Sequence, residues 1–575
     1  MIRLARFLHP YRFSLVGVVL LVFLQALSDL YLPTLMADIV DIGVVKGNYS
    51  YILNVGAFML VVAIAGALCA IGGSFLSSKV AVGFGQIIRA RLFSHVERFS
   101  LHEFDKFGTA SLITRTTNDT TQVQQVYIII LRMMISAPLM AIGGIIMAVS
   151  KDAKLSLVLV GALPVLALAI WIITGNGIPL FQVMQKKLDK INLILDENLT
   201  GMRVIRSLNR IDHEKERFED ANQDLTDVSI KVNRIMAAMW PVMMLVMNVS
   251  SIAIVWFGGL RVSTGDMQIG NLMAFLQYST QIMFAMLMVS MMFIMVPRAA
   301  ASATRINEVL DVVPAMSDAD QLKQADERRG YVEFRDVIFS YPGAERPAIR
   351  NISFEARPGE ITAIIGGTGA GKSTLVNLMP RFYDVDSGSI LVDGVDVREL
   401  SQESLRSKIG LVPQKAVLFS GTVAENIRYG KEEASDNEVR HAADIAQATE
   451  FVTDMTEGFD SAIAQGGTNV SGGQKQRLSI ARALVRRPEI YIFDDSFSAL
   501  DFKTDARLRA ALKHEIANST VFIVAQRVST VMDADQIIVL DEGQITGIGT
   551  HRALMQTSEV YREIVSSQLS MEEIA

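Results

Sequence analysis

The stretch of sequence that decides the fold is ITAIIGGTGAGKST, residues 361–374. An apolar run typical of a buried strand leads directly into a glycine-rich turn that ends in Lys372 and Ser373. Glycines in this G-x-x-x-x-G-K-S spacing let backbone N–H groups turn towards phosphate oxygens, and a helix starting there adds the positive end of its dipole. The segment therefore predicts a phosphate-binding loop formed by Gly366, Gly367, Thr368, Gly369, Ala370, Gly371, Lys372, Ser373 and Thr374.

A second apolar strand, 489–493, ends in two adjacent carboxylates, Asp494 and Asp495. In such a site Lys372 reaches the β- and γ-phosphates and the Ser373 hydroxyl can hold Mg²⁺. Asp494 would bind Mg²⁺ through water, and Asp495 would lie near the attacking water. The two segments together predict a P-loop ATPase domain that binds ATP and Mg²⁺.

Composition shows that this domain is only part of the protein. Half of the 575 residues are hydrophobic, mean hydropathy is +0.32, and there is one cysteine. These values exclude a disordered chain, an internal disulfide framework and a cysteine-cluster metal site. The net charge of −6 implies no general attraction to nucleic acid. Residues 1–330 carry 29 Lys and Arg against 25 Asp and Glu, whereas residues 331–575 carry 25 against 35.

The N-terminal half is built around long stretches without charge, and a helix needs about 20 apolar residues to cross a bilayer. We predict six spanning helices, over or around residues 13–28, 47–78, 133–150, 155–185, 235–260 and 267–297. Basic residues concentrate before the first span, after the last, and in two connections, 79–132 and 186–234. By the positive-inside rule both termini are cytoplasmic. Each long connection predicts a helical hairpin, with tips near 104–110 and 208–213, and acts either as a solvated coiled hairpin or as a lever contacting the soluble half.

Some residues of the spans have two interpretations. Asp29 either lines a cavity or lies near the outer mouth, because a carboxylate at that depth is costly. Asp38 and Asp41 are predicted to lie on the outer surface. Residues 236–295 hold 13 of the 28 methionines. Their flexible thioethers either fill interhelical space or line an adaptable hydrophobic site.

The motifs resemble those of the ATP-binding cassette (ABC) transporters along the whole chain. VSGGQ, which contains Ser471, Gly472, Gly473 and Gln474, resembles the family's signature, although a Ser-Gly-Gly turn alone is more often a plain loop. Tyr341 lies where the family has its adenine-stacking aromatic, and Gln414 matches the glutamine loop, a Mg²⁺ contact near the catalytic site. Segments 103–120 and 201–218 are similar to the two intracellular loops of ABC exporters.

The resemblance implies an exporter half-transporter, with an α-helical six-span transmembrane domain over 1–310, a linker over 311–330 and an α/β P-loop nucleotide-binding domain over 331–575. Two such chains form a transporter of this family, and each ATP lies between the phosphate loop of one chain and the signature of the other. The resemblance further implies an ATPase coupled to transport, in a bacterial cell membrane and in contact with membrane lipid.

The chain departs from the family pattern at AQGG, residues 464–467, where an acidic-basic stretch is expected before the signature, and at two positions of the catalytic site. The family's catalytic base is a glutamate, but Asp495 occupies that position and is one methylene shorter. The family's switch histidine is replaced by Gln526, whose neutral amide cannot carry the charge of an imidazolium. Because both changes affect the same γ-phosphate, we expect a degenerate site that retains ATP. The chain then resembles the degenerate-site subunit of bacterial heterodimeric multidrug exporters, and it supplies its intact signature to a competent site on a partner chain.

The sequence is compatible with several alternatives. The chain could form a homodimer with two slow sites, act as a non-pumping ATP-gated regulator, or take up its substrate. Pocket composition suggests a hydrophobic or amphipathic small molecule, but drugs, lipids and apolar peptides fit equally well.

Overall fold

The computed structural model describes residues 1–316, 318, 323 and 329–568, and the chain divides into two units. We call Met1–Glu97 with Thr109–Val312 the helical unit, and Arg98–Gly108 with Val313–Ala575 the α/β unit. Residues 317, 319–322 and 324–328 of the predicted linker lie outside the described part of the chain.

Long helices dominate the first 310 residues. In chain order the helices are α1 (Ile2–Ala5), α2 (Arg12–Asp38), α3 (Tyr49–Val96), α4 (Leu101–Phe107), α5 (Thr109–Thr114), α6 (Thr120–Lys151), α7 (Leu157–Ser207), α8 (Ile211–Ser263) and α9 (Ile269–Leu310). Within the described residues, six helices are long and apolar enough to cross a membrane, which confirms the six-span prediction. The breaks after α4 and between α7 and α8 fall at the two predicted hairpin tips.

Buried polar contacts fix the packing of the helical unit. Tyr278 of α9 is fully buried, and its hydroxyl donates to the carbonyl oxygen of Leu30 at 2.9 Å and shares a hydrogen bond with the Thr34 hydroxyl. Met243 and Met283 are buried in one interhelical cluster with Leu166. For these two methionines, the structure therefore favours interhelical filling.

The prediction that Asp41 lies on the outer surface was wrong. Its side chain is buried, with only 8% of it exposed. Its Oδ1 accepts the backbone N–H of Gly270 at 2.6 Å, at the start of α9. A Cβ on Gly270 would lie 2.3 Å from the carbonyl oxygen of Ala37. The carboxylate thus satisfies one of the unpaired N–H groups of the helix start, at a point where two backbones approach closely.

We expect Asp41→Ala to lower the free energy of unfolding of the helical unit by about 1–3 kcal/mol, because a buried N–H loses its acceptor. Thermal unfolding in nanodiscs measures the effect. The control is Asp38→Ala, one turn earlier and only half-buried. Equal destabilisation by the two variants would show that the Gly270 contact contributes nothing specific.

The α/β unit contains all of the described strands. They are β1 (Val332–Phe339), β2 (Ile349–Ala356), β3 (Ile361–Gly366), β4 (Ser387–Val392), β5 (Val395–Asp396), β6 (Ile409–Val412), β7 (Gly421–Thr422), β8 (Ala462–Ile463), β9 (Ile490–Asp494), β10 (Thr520–Val524), β11 (Gln536–Asp541) and β12 (Gln544–Gly549). The helices that follow β3 are α10 (Lys372–Leu378), α11 (Gln402–Ser407), α12 (Val423–Arg428), α13 (Asp436–Ile445), α14 (Thr449–Thr453), α15 (Gly472–Leu484), α16 (Phe502–Glu515), α17 (Val528–Val531), α18 (His551–Thr557) and α19 (Glu559–Gln568).

Strand order determines where the motifs meet. The main sheet runs β12-β11-β3-β10-β9-β6, with β12 antiparallel at its edge and the other five strands parallel. A second, antiparallel sheet runs β2-β1-β4-β5. Because β3, β10, β9 and β6 are neighbours and parallel, the residues that follow them meet at one edge of the main sheet.

Candidate functional site

The glycine-rich turn lies at this edge, directly after β3. A Cβ on Gly366 would be 2.1 Å from the carbonyl oxygen of Leu540 on β11, so a larger residue would force the two strands apart. Gly369 and Gly371 have φ values of +85° and +95°, in the left-handed region that favours glycine. The backbone therefore requires glycine at both glycine positions of the motif, Gly366 and Gly371, and also at Gly369 between them.

Lys372 begins α10, and its ammonium lies over the turn. Its Nζ donates to the carbonyl oxygens of Gly366 at 2.9 Å and Gly367 at 2.7 Å. Burial lowers the pKa of Lys372, while the carboxylates of Asp495 and Asp494 oppose that shift. A cation held over the turn in this way is placed to pair with phosphate oxygens.

The first carboxylate after β9 pairs with the hydroxyl after the turn. Ser373 Oγ donates to Asp494 Oδ1 at 3.1 Å, and Asp494 is only 6% exposed. Burial raises the pKa of Asp494, and the neighbouring Asp495 adds to this, while Ser373 and Lys372 lower it. A buried carboxylate beside a hydroxyl is an all-oxygen donor set of the kind Mg²⁺ prefers. The residues therefore fit the metal, which would neutralise phosphate charge when bound.

Asp495 lies at the centre of a polar cluster formed by three strand ends. Its Oδ2 accepts the amide of Gln526 at 2.8 Å and the amide of Gln414 at 3.2 Å. Gln526 follows β10 and Gln414 follows β6, on either side of β9. Asp495 itself has a φ of 46°, and its N–H is bonded to the carbonyl oxygen of Val524. Two neutral amide donors thus share one oxygen of the Asp495 carboxylate.

Tyr341 lies beside the phosphate-binding turn. Its ring is partly exposed, at 37%, and its hydroxyl shares a hydrogen bond of 3.0 Å with the hydroxyl of Thr374 on α10. Tyr383 packs against the Tyr341 ring edge to face, with centroids 5.5 Å apart and planes at 85°. Tyr383 was not predicted, because nothing in its local sequence pattern distinguishes it from an ordinary aromatic residue.

The Ser-Gly-Gly turn forms the start of α15 and has a capping box. The Ser471 hydroxyl accepts the N–H of Gln474 at 3.3 Å, and the Gln474 side-chain oxygen accepts the N–H of Ser471 at 2.8 Å. Gly472 has open space around it, and a Cβ on Gly473 would lie 3.1 Å from the carbonyl oxygen of Ala499. The reciprocal bonds hold the turn rigid and leave the serine hydroxyl proton free to donate.

The predicted site residues thus form two groups within the α/β unit. One contains Tyr341, the phosphate-binding turn, Asp494, Asp495, Gln414 and Gln526, which hydrogen bonds and strand order bring together at the sheet edge. The other is the turn at Ser471–Gln474, with its own contacts at the start of α15. The fold and the first group define a class of protein: a six-helix membrane domain fused to a P-loop ATPase domain.

Comparison with known proteins identifies the family. Residues 15–286 match the family model described as the ABC transporter transmembrane region, and residues 349–498 match the model described as ABC transporter. An uncharacterized ABC transporter ATP-binding protein of Mycobacterium tuberculosis is 44% identical over 98% of this chain and 97% of its own length. A fatty acid ABC transporter ATP-binding/permease protein of Mycobacterium bovis is 34% identical over 83% of this chain and 75% of its own length.

A solved structure, of a bacterial Atm1-family ABC exporter with ATP bound, is 26% identical and superposes with a TM-score of 0.81, covering 97% of this chain and 98% of the other. The chain belongs to the ABC transporter family. It is a membrane protein with an ABC ATPase domain, and ATP hydrolysis coupled to transport is the activity of that class.

Proposed function

We propose that the chain is one subunit of an ATP-driven exporter that moves hydrophobic or amphipathic compounds out of the cell. Its ATPase domain, over 331–575, follows a membrane domain over 1–310 and a linker over 311–330. Both termini are cytoplasmic, in a bacterial cell membrane. The basic residues of the two long connections support this orientation.

We further propose that the dimer is a heterodimer in which this chain carries the degenerate ATP site. The observation that carries this proposal is the Asp495 cluster. A general base needs an available lone pair on a carboxylate placed within hydrogen-bond reach of water. Here the carboxylate is one methylene shorter than glutamate, and one of its oxygens already accepts from Gln414 and Gln526. Neither amide brings the positive charge that stabilises the transition state of phosphoryl transfer.

We infer the other roles of this chain from the motifs that match the family pattern. The phosphate-binding turn binds ATP and Mg²⁺, with Lys372 on phosphate and Ser373 and Asp494 on the metal, while Tyr341 stacks on adenine. The capped turn at Ser471–Gln474 serves the partner's ATP. The competent site then combines the partner's catalytic residues with this chain's signature, and the ATP bound by this chain persists between cycles.

A cavity in the helical unit supports the proposal that the substrate is hydrophobic. A cavity of about 660 Å³ is lined almost entirely by apolar side chains from α1, α6 and α9, among them Ala5, Ile130, Met134, Pro138, Met292 and Val296. The described lining is mostly apolar, so it fits an alkyl or aromatic body. The printed name of one relative, a fatty acid ABC transporter, supports including lipids among the proposed substrates of this chain.

The Asp495→Ala variant tests the asymmetry. In the native complex, we expect its ATP turnover to stay within about twofold of the wild type, because hydrolysis takes place at the partner's site. In a preparation of this chain alone, the combined Asp495→Glu and Gln526→His changes should raise turnover at least about tenfold, since they restore a base and a cationic donor.

The matched control is Asp541→Ala, an exposed carboxylate at the end of β11, a parallel strand of the same sheet that does not adjoin β9. Native mass spectrometry of the complex gives an independent measurement. A dominant species of twice 63.2 kDa, together with loss of turnover in Asp495→Ala, would overturn the heterodimer and establish a homodimer with two slow sites.

A further inference from the structure

Asp29 is a carboxylate inside the first spanning helix, about 14 Å before the end of α2. The exposed apolar side chains of α2, among them Leu20, Leu24 and Tyr31, lie on one face of the helix. Asp29 lies on the opposite face, at helical spacing from the buried residues Val18, Val22 and Ala26. The carboxylate therefore points into the helical unit and away from the surrounding lipid.

The sequence gives this carboxylate no counterion at its depth in the membrane. The helix α2 packs against α3, α6 and α9. No Lys, Arg or His occurs in the stretches that carry these four helices across the membrane, which are residues 13–45, 47–78, 133–150 and 267–297. A carboxylate in a spanning helix is costly and marks a pathway or a partner. The positive charge that would stabilise Asp29 therefore has to come from outside these segments.

Gln281 of α9 adds an unpaired acceptor at the same place. It lies on the stripe of α9 that is formed by the buried residues Ala274, Tyr278 and Ala285. Its Nε2 donates to the backbone carbonyl oxygen of Asp29 at 3.1 Å. Its Oε1 is buried and has no hydrogen-bond partner among the described residues. Because leaving a buried amide oxygen unpaired costs free energy, a donor is missing from this place.

The chemistry of these groups indicates which ligand fits. Gln25, one turn before Asp29, donates a hydrogen bond to its carboxylate but brings no charge. A hard metal ion takes about six oxygen ligands, and the described residues contain no group of three or more His, Cys, Asp or Glu that could hold a metal ion. A protonated amine, in contrast, supplies a positive charge for Asp29 and N–H donors for the oxygen of Gln281.

The apolar cavity of the helical unit lies along the same face of α9. Met292, which lines that cavity of about 660 Å³, comes three turns after Gln281 and hence on the same side of the helix. Val289 and Val296 of α9 also line it. A polar head at Asp29 and Gln281 can therefore be combined with an alkyl body that extends along α9 towards the cavity.

We propose that Asp29 and Gln281 form a head-group site that selects amphiphiles carrying a protonated amine. Asp29 supplies the opposite charge, and Gln281 accepts an N–H of the amine. The inference rests on the proposed function as an exporter of amphipathic compounds, and it names their chemical class. It separates amines from fatty acids, because Asp29 repels a carboxylate head.

Two variants separate the two roles. Asp29→Asn keeps the size of the side chain and removes its charge, so it should weaken the binding of every cationic amphiphile. Gln281→Leu removes the acceptor and keeps Asp29, so it should weaken only ligands that have N–H donors. The matched control is Asp266→Asn, which removes a carboxylate that is 59% exposed in the connection between α8 and α9.

The experiment measures binding of three probes with one dodecyl chain: dodecylamine, dodecyltrimethylammonium and dodecanoate. The native complex in nanodiscs is compared with empty nanodiscs at pH 7, where the amine and the carboxylate are both charged. We expect the wild type to bind dodecylamine at least about tenfold more tightly than dodecanoate. Asp29→Asn should lose that preference and bind both cations at least about tenfold more weakly, while Asp266→Asn should behave as the wild type.

Gln281→Leu should bind dodecylamine about fivefold more weakly and dodecyltrimethylammonium as the wild type does, since the latter has no N–H to donate. Thermal unfolding checks that both variants are folded, and Gln281→Leu tests the site even if Asp29→Asn does not fold. Unchanged binding of dodecylamine by the folded variants, or a wild type that prefers dodecanoate, would overturn the amine site.

ATP-driven uptake of the same probes into inside-out vesicles tests the proposed function separately. Faster uptake of the cations than of dodecanoate, with the preference lost in Asp29→Asn, would support both proposals. Uptake of dodecanoate in preference to the cations would overturn the amine site and leave the export function standing. If ATP drives uptake of none of the three probes, the proposed export function fails, and Asp29 then has no substrate to select.

Discussion

Replacing Ser471 by Asp is expected to lower ATP turnover of the native complex by at least about 100-fold, while α15 stays folded. Aspartate caps helix starts as well as serine does, so the N–H of Gln474 keeps an acceptor. The substitution removes the one hydroxyl donor of this turn and places a negative charge where a phosphate would bind. Loss of a single preorganised donor to developing charge costs about 10²–10³ in rate, and repulsion adds to this.

Steady-state ATPase activity in nanodiscs measures the effect, with circular dichroism and thermal unfolding as checks on folding. The matched control is Thr550→Asp, since Thr550 caps α18 in the same way, through the N–H of Ala553, in a helix whose first turn has no acidic residue. We expect this control to behave as the wild type. Wild-type turnover in Ser471→Asp would show that the turn does not contact the nucleotide of the competent site, and the role proposed for this chain would be wrong.

The second large effect is expected from Lys372→Ala. The ammonium is held over the phosphate-binding turn by Gly366 and Gly367 and is partly desolvated, so its pairing with phosphate is stronger than that of a surface lysine. We expect the affinity of this chain for ATP to fall by about 100-fold, which corresponds to about 2.7 kcal/mol. Binding of a fluorescent ATP analogue to the chain measures the change directly.

Lys431→Ala is the control for this prediction. Lys431 belongs to the same unit, but it is exposed and pairs with Glu438 away from the sheet edge. Its loss should leave ATP affinity unchanged, because exposed ion pairs contribute little. If Lys372→Ala bound the analogue as tightly as Lys431→Ala does, the glycine turn would not be the phosphate site.

Much of the architecture could be predicted because it is recorded locally in the sequence. The length of an apolar run is enough to predict a membrane span, and the six predicted helices are present among the described residues. The spacing of Gly366, Gly371, Lys372 and Ser373 predicts its own backbone conformation, because only glycine tolerates the close approaches and positive φ values found there. The family assignment followed from the same short motifs.

Contacts between distant residues could not be predicted in this way. Asp41 was expected on the outer surface, but it is buried and bonded to Gly270 at the start of α9, which lies 229 residues further along the chain. The hydrogen bond between Glu103 and the N–H of Ala315 could not be predicted either, since a glutamate three residues after a serine indicates only an ordinary helix cap. That bond depends on how the chain returns after α9.

By itself, then, the sequence determined the two kinds of domain, the number of spans, the phosphate-binding loop and the pair of departures at Asp495 and Gln526. Only the tertiary structure decided that one oxygen of Asp495 accepts amides from Gln526 and from Gln414, which are 31 and 81 residues away in the chain. The physical reason is the parallel strand order β10-β9-β6, which is set by packing of the whole sheet and brings three strand ends to one edge. Local patterns specify helices, turns and strands, whereas the hydrogen bonds that the Asp495 carboxylate accepts depend on which strands become neighbours.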